Sequence, residues 1–174
     1  MNEVFVDSSI FIHLFDYLSK SDTAFSYDSV TQQYEELIES TRLITTNLVV
    51  SEALNHISKI VGKGGTYAWD WVMDYYRKYI ATNLTIFELD NSIIESALSV
   101  CLEYKDYRFS FVDASCFVFL DRHGVVPVFT TDLSWSGYYY RKGHEYRAIP
   151  VIGYTPPQIS EEPSGTGKPF RPGQ

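Results

Sequence analysis

The stretch VFVDSS, residues 4–9, joins an apolar run to an acid and two serines near the start of the chain. Val4, Phe5 and Val6 are β-branched or aromatic, which predicts a short buried strand. Asp7 follows at once, at the end of this strand, where a charge without a partner is unfavourable. The position of Asp7 therefore raises the question of what compensates its charge.

Short apolar runs alternate with longer helical patterns along the chain, which is typical of an α/β fold with a parallel sheet. The predicted strands are residues 3–6, 42–46, 84–88, 126–130 and 147–152. The predicted helices are residues 9–19, 29–40, 48–61, 67–81, 91–104 and 112–122. We expect a single domain over residues 1–154, with a central parallel sheet of about five strands flanked by helices on both sides. Residues 155–174 are rich in Pro and Gly and are predicted to form a flexible tail.

The chain has 174 residues and a net charge of −8, with 14 basic against 22 acidic residues. This acidic balance disfavours broad electrostatic attachment to nucleic acid or to an anionic membrane, so any contact with nucleic acid must be local. No apolar run approaches the ~20 residues that span a bilayer, and the first residues lack the pattern of a secretory signal. A cytoplasmic protein without a membrane partner is expected.

Four carboxylates lie at predicted strand ends or helix starts: Asp7, Glu52, Asp113 and Asp132. The carboxyl ends of parallel strands share one edge of a sheet, where open α/β folds bind their ligands, so these side chains could meet there. Each also has an ordinary explanation. Asp7 and Asp132 could cap the following turn, Ser110 and Asp113 fit a capping box, and Glu52 could be a solvated helix residue.

If the four acids do meet, their mutual repulsion requires a cation. An all-oxygen set without His or Cys suits a hard divalent ion such as Mg²⁺ or Mn²⁺. Such an ion can activate water and stabilise the charge that develops when a phosphodiester is cleaved. Acids that meet in this way could therefore form a metal site for phosphodiester cleavage.

Four segments resemble, in order and spacing, the motifs of PIN-domain ribonucleases, and among those the VapC toxins of toxin–antitoxin pairs. They are VFVDSSIFI (4–12), LVVSEAL (48–54), FSFVDASCFVF (109–119) and VFTTDLSW (128–135), within a similarity that covers residues 1–152. The resemblance implies a Rossmann-like sheet and a Mg²⁺- or Mn²⁺-dependent endoribonuclease with an RNA substrate and a cognate antitoxin. It implies an acidic site of Asp7, Glu52, Asp113 and Asp132, in which Thr130 holds an acid or water and Ser8 has a supporting place beside Asp7.

A basic patch follows the fourth acid in YYYRKGHEYR, residues 138–147. Its members are Arg141, Lys142, His144 and Arg147. Such a patch could hold an RNA backbone while the tyrosines stack on bases, and a solvated loop is an equal alternative. Ser8 is a further possible RNA contact.

The predicted helix 67–81 has two apolar faces. One carries Trp69, Val72, Met73 and Tyr76, and the other carries Trp71, Tyr75 and Tyr79. We expect the first face to pack on the core and the second to contact a partner, either a second copy in a homodimer or an antitoxin peptide.

Two other functions remain open. The chain could be a catalytically silent PIN-like binding or scaffold module. It could also be a haloacid-dehalogenase-like phosphatase with Asp7 as nucleophile, although those enzymes have a second acid two residues later, where this chain has Ser9.

Overall fold

The structure, a computed structural model, describes residues 2–20, 28–62, 67–105, 110–124, 126–132, 135, 139–142 and 145–152. The strands are β1 (Glu3–Val6), β2 (Arg42–Thr46), β3 (Leu84–Phe87), β4 (Val128–Phe129), β5 (Tyr139–Lys142), β6 (Glu145–Ala148) and β7 (Val151–Ile152). The helices are α1 (Ser8–Lys20), α2 (Ser29–Ser40), α3 (Asn47–Val61), α4 (Tyr67–Tyr75), α5 (Asn91–Glu103) and α6 (Phe111–His123), and a π-helical turn (Tyr76–Ala81) continues α4.

Five of the strands form one all-parallel sheet in the order β3-β2-β1-β4-β7, flanked by helices, which confirms the predicted α/β fold. Strands β5 and β6 pair separately as an antiparallel hairpin. The chain divides into two compact units, Met1–Leu89 and Asp90–Gln174.

The first unit contains β1, β2 and β3, and its core is formed by side chains of the strands and of α1. Phe5 and Ile44 are completely buried in the strands, as are Ile10, Phe11 and Phe15 on α1. Leu14 is buried as well, and from Ile10 to Leu14, Phe11 to Leu14 and Phe11 to Phe15 the spacing is three or four residues, so that a single face of the helix is apolar.

Helix α2 begins at an Asp cap. Asp28 accepts hydrogen bonds from the backbone N–H groups of Val30 and Thr31, both at 2.9 Å, and from Nε2 of His13 at 3.0 Å. Partial burial raises the pKa of the Asp28 carboxyl. The hydrogen bonds from the Thr31 N–H and from His13 together lower the pKa by more, so that it lies below its usual value. The ionised side chain thus fixes the start of α2 and ties it to α1.

The second unit contains α5, α6, β4, β7 and the β5–β6 hairpin. Helix α6 is buried from Ala114 to Leu120 and ends at Gly124, whose φ of +99° is a conformation that side chains rarely adopt. Strand β4 follows α6 along the chain, and its residues Val128 and Phe129 pair with Val151 and Ile152 of β7.

The predicted last strand, 147–152, is wrong as a single element, because the structure divides it into β6 and β7 on either side of Ile149 and Pro150. Pro150 has no N–H for a ladder, and its carbonyl accepts a hydrogen bond from the Val128 N–H at 2.8 Å. Strand β5 was not predicted, because its polar sequence lacks the apolar alternation of a strand. The predicted tail, 155–174, lies outside the described residues.

Each helix in the described part of the chain is too short or too polar to cross a bilayer.

Candidate active site

Asp7 lies between β1 and α1 and is buried, with 4% of its surface exposed. Its Oδ2 accepts a hydrogen bond from the Ser9 hydroxyl at 2.8 Å, and the Ser9 backbone N–H approaches the same oxygen at 3.4 Å. The strand end beside it is fixed by the Thr45 hydroxyl, which donates to the Val6 carbonyl at 2.8 Å. The Asp7 carboxylate is therefore held by the first turn of α1, mainly through the Ser9 hydroxyl. The capping bond from the Ser9 N–H is weak because its donor–acceptor distance is 3.4 Å.

Glu52 lies in the second turn of α3, the helix that starts at the end of β2. Thr46 caps this helix, since its hydroxyl accepts from the Val49 N–H. Glu52 is half-buried, and its Oε2 accepts a hydrogen bond from the Ser8 hydroxyl at 2.7 Å. The alternative of a freely solvated helix residue is wrong, because the structure joins Glu52 to the start of α1.

Asp113 forms the predicted capping box at the start of α6. Its Oδ2 accepts from the Ser110 backbone N–H at 2.7 Å, while its own N–H donates to the Ser110 hydroxyl at 3.1 Å. The carboxylate also lies near Cys101, and burial, followed by this negative charge, raises the pKa of the Cys101 thiol. Asp113 therefore has a clear structural role as the cap of α6, and any catalytic role would be in addition to it.

Thr130 and Asp132 follow β4. Thr130 is completely buried, and its hydroxyl accepts a hydrogen bond from the Asp132 backbone N–H at 2.9 Å, while the Asp132 side chain is exposed. Thr130 thus fixes the backbone at this acid.

Metal binding by these residues is a question of donor chemistry. Within the described residues, no group of three or more His, Cys, Asp and Glu side chains is spaced to hold a metal ion. Magnesium, however, is commonly bound through one or two carboxylates, with waters and substrate phosphates completing its shell. The first unit supplies such a pair, Asp7 and Glu52, each held by one of two adjacent serines, and oxygen is their only donor atom. This donor set fits Mg²⁺ or Mn²⁺ and does not suit softer metals.

The predicted basic patch lies on the β5–β6 hairpin. Arg141 pairs with Tyr146 in its register, Arg147 pairs with Tyr140, and Lys142 pairs with Glu145. His144 lies outside the described residues. The register places the two arginine positions opposite tyrosine positions and Lys142 opposite an acidic position, and RNA binding by the patch stays a prediction.

The two faces predicted for α4 are correct at Val72, which is buried, and at Trp71, which is 41% exposed, but wrong at Trp69, Met73 and Tyr75. Val72 and Tyr75 are buried, whereas Trp69 of the expected core face is 56% exposed and Met73 is 45% exposed. Tyr75 belongs to the core because its hydroxyl donates to the Phe11 carbonyl and its ring lies edge-on to Phe15.

An open cleft lies beside the exposed part of α4. Its volume is about 500 Å³, and its lining residues are Asn47, Val50, Ser51, Leu54, Asn55, Ser58, Trp69 and Tyr76. The outward aromatic surface of the helix is therefore formed by Trp69 and its neighbours, and Tyr75 contributes nothing to it.

Sequence reasoning missed Ser9, which was considered only as the position where a phosphatase would have an acid. It assigned Ser8 a supporting position next to Asp7 but did not predict that the Ser8 hydroxyl donates to Glu52. The signal for Ser9 was present in the sequence, because a serine two residues after an Asp at a helix start can bond that Asp.

Comparison with models of protein families and with curated protein sequences gives no match. Solved structures do match. VapC20 of Mycobacterium tuberculosis, a sarcin–ricin loop cleaving toxin, shares 19% identity and a TM-score of 0.54, over 75% of this chain and 90% of that one.

Two VapBC structures, both bound to DNA, match as well. VapBC2 of Rickettsia felis has 12% identity and a TM-score of 0.56 over 76% of this chain and 90% of that one. VapBC of Salmonella typhimurium has 12% identity and a TM-score of 0.57 over 87% of this chain and 97% of that one. The chain has the PIN-like fold of VapC toxins, as the sequence motifs predicted.

Proposed function

We propose that this protein is a metal-dependent endoribonuclease and the toxin of a toxin–antitoxin pair. The observation that carries the proposal is the pair of acids in the first unit: Asp7, buried at the end of β1, and Glu52, each held by a serine hydroxyl. A buried carboxylate that is held in one orientation is suited to a divalent cation. The fold shared with VapC20 supports the same chemistry.

In this proposal Asp7, Glu52, Asp113 and Asp132 supply the oxygen ligands for Mg²⁺ or Mn²⁺. When bound, the ion supplies Lewis acidity, which activates water and stabilises the charge that develops on the phosphate. Thr130 holds the backbone at Asp132. The side chains at Arg141, Lys142, His144 and Arg147 are proposed to contact the RNA backbone.

The test is cleavage of two RNAs by the full chain: a hairpin containing the sarcin–ricin loop, chosen because VapC20 cleaves that loop, and an unrelated single strand. We expect cleavage with Mg²⁺ or Mn²⁺, none with EDTA, and none by Asp7→Asn. Asp90→Asn is the matched control, because Asp90 caps α5 and lies outside the four proposed acids. Cleavage that persists in EDTA, or undiminished cleavage by folded Asp7→Asn, overturns the proposal.

A silent PIN-like binding module is the second candidate, and one observation favours it. The Asp113 carboxylate is already engaged in a capping box, so its presence does not require a catalytic role. A silent module predicts no cleavage and no specific Mn²⁺ binding, whereas a phosphatase predicts hydrolysis of small phosphate esters through Asp7.

An antitoxin partner is proposed from the likeness to VapBC complexes of Rickettsia felis and Salmonella typhimurium. The exposed surface of α4 around Trp69 and Met73, with the cleft beside it, is the apolar surface we propose for a partner. Sedimentation of the chain alone tests the homodimer, and Trp69→Ser should weaken any dimer that uses this surface.

A further inference from the structure

The triplet Asp7-Ser8-Ser9 connects β1 to α1, with Ser8 as the first residue of the helix. Consecutive residues of an α-helix point about 100° apart, so two adjacent serines can reach different neighbours. Ser9 donates to Oδ2 of Asp7 at 2.8 Å, and Ser8 donates to Oε2 of Glu52 at 2.7 Å. Each of the two proposed site acids in the first unit, Asp7 and Glu52, therefore accepts a hydrogen bond from its own serine hydroxyl.

Both contacts are short bonds from a neutral donor to a carboxylate in partly buried surroundings. Ser8 is 8% exposed and Asp7 is 4% exposed. Hydrogen bonds to an ionised acceptor are stronger than those between neutral groups, and they gain further strength away from water. The two hydroxyls thus restrict the rotation of both carboxylates.

Ordinary helix capping explains only part of this arrangement. The chain contains a second Asp-x-Ser helix start, at Asp90, where the Ser92 hydroxyl donates to the carboxylate at 2.7 Å. There the acid is exposed and caps α5 through the Ile93 N–H at 2.9 Å. At α1 the acid is buried, and Ser8 reaches an acid 44 positions away along the chain, which a local cap does not require.

We propose that Ser8 and Ser9 are positioning residues that hold Glu52 and Asp7 in the orientation in which they receive a divalent ion. This inference rests on the proposed function. Groups that orient metal ligands through hydrogen bonds typically contribute 10–100-fold to metal affinity, and sites are most effective when such support is already in place.

The test measures Mn²⁺ affinity by calorimetry and RNA cleavage for Ser8→Ala and Ser9→Ala. We expect each to bind Mn²⁺ about 10–100-fold more weakly, with cleavage recovering as Mn²⁺ is raised. Ser9→Thr, which keeps the hydroxyl, should restore most of the affinity. In a Glu52→Ala background, Ser8→Ala should cause no further loss of affinity, because its effect passes through Glu52.

The control is Ser92→Ala, which removes the same kind of hydroxyl from the start of α5 and should leave Mn²⁺ affinity unchanged. Melting of each metal-free variant separates loss of fold from loss of orientation. Wild-type affinity in both Ser8→Ala and Ser9→Ala would overturn this inference while leaving the nuclease intact. If the wild-type chain neither binds Mn²⁺ nor cleaves RNA, the proposed function itself fails.

Discussion

Asp113 offers a test that separates helix capping from catalysis at a single residue. Its Oδ2 accepts the Ser110 N–H at 2.7 Å, and the bond back to Ser110 completes the capping box of α6. Asp113→Asn keeps an oxygen acceptor for this N–H but removes the charge. Asp113→Ala removes both the acceptor and the charge.

The expected free energies follow from these contacts. Asp113→Asn loses the attraction between a charge and the helix N-terminus, about 0.3–1 kcal/mol. Asp113→Ala also loses the hydrogen bond of the box, for a total cost of about 1–2 kcal/mol. In a chain of this size the alanine variant should melt roughly 2–8 °C lower than wild type. If Asp113 is a metal ligand as proposed, cleavage should fall at least ~100-fold in both variants, because losing a ligand costs more than losing a group that orients one.

The assays are thermal unfolding in EDTA and single-turnover RNA cleavage at saturating Mn²⁺. Asp90→Asn and Asp90→Ala are the matched pair, since Asp90 caps α5 through the Ile93 N–H and should reproduce the order of stabilities with unchanged cleavage. Wild-type cleavage by Asp113→Asn would show that this carboxylate is only a cap. Equal destabilisation by Asn and Ala would refute the assignment of the hydrogen bond.

Three further predictions concern stability. Asp28→Ala should cost about 1–2 kcal/mol through loss of the α2 cap. The pKa of Asp28 is lowered on folding, so its contribution to the free energy of unfolding is complete above the usual pKa of 3.8 and is lost as the pH falls through the lowered pKa. Asp28→Asn should abolish this pH dependence of stability in acid unfolding. Gly124→Ala should cost about 1–3 kcal/mol by calorimetric unfolding because φ is +99°, and equal stability would contradict the backbone conformation. Tyr75→Phe should cost about 1–2 kcal/mol in denaturant, since it removes the hydrogen bond to the Phe11 carbonyl, and no cost would contradict that bond.

Much of the fold could be predicted because its strongest signals are local. The strands β1, β2 and β3 are short apolar runs followed by helical patterns. The capping box is indicated by the S-x-x-D pattern of Ser110 and Asp113. Local signals do not decide the faces of α4, because both faces are apolar. The choice depends on the Phe11 carbonyl, which lies 64 positions away from Tyr75.

The support of the candidate site could be predicted only in part, for the same reason. The contact between Ser9 and Asp7 is local and could be inferred from the triplet. The contact between Ser8 and Glu52 depends on how α1 packs against α3, which no spacing in the sequence specifies. The break between β6 and β7 was signalled by Pro150, although the apolar residues around it suggested one continuous strand.

The central claim is that the carboxylates of this fold bind a divalent ion, and Mn²⁺ titration tests it most directly. Calorimetry should show saturable binding to the wild-type chain and greatly weakened binding to Asp7→Asn. At 100 times the dissociation constant, bound ion should stabilise the folded state by about 2.7 kcal/mol, which raises the melting temperature by roughly 5–11 °C. Absence of binding heat, with a melting temperature that Mn²⁺ does not change, would contradict the account.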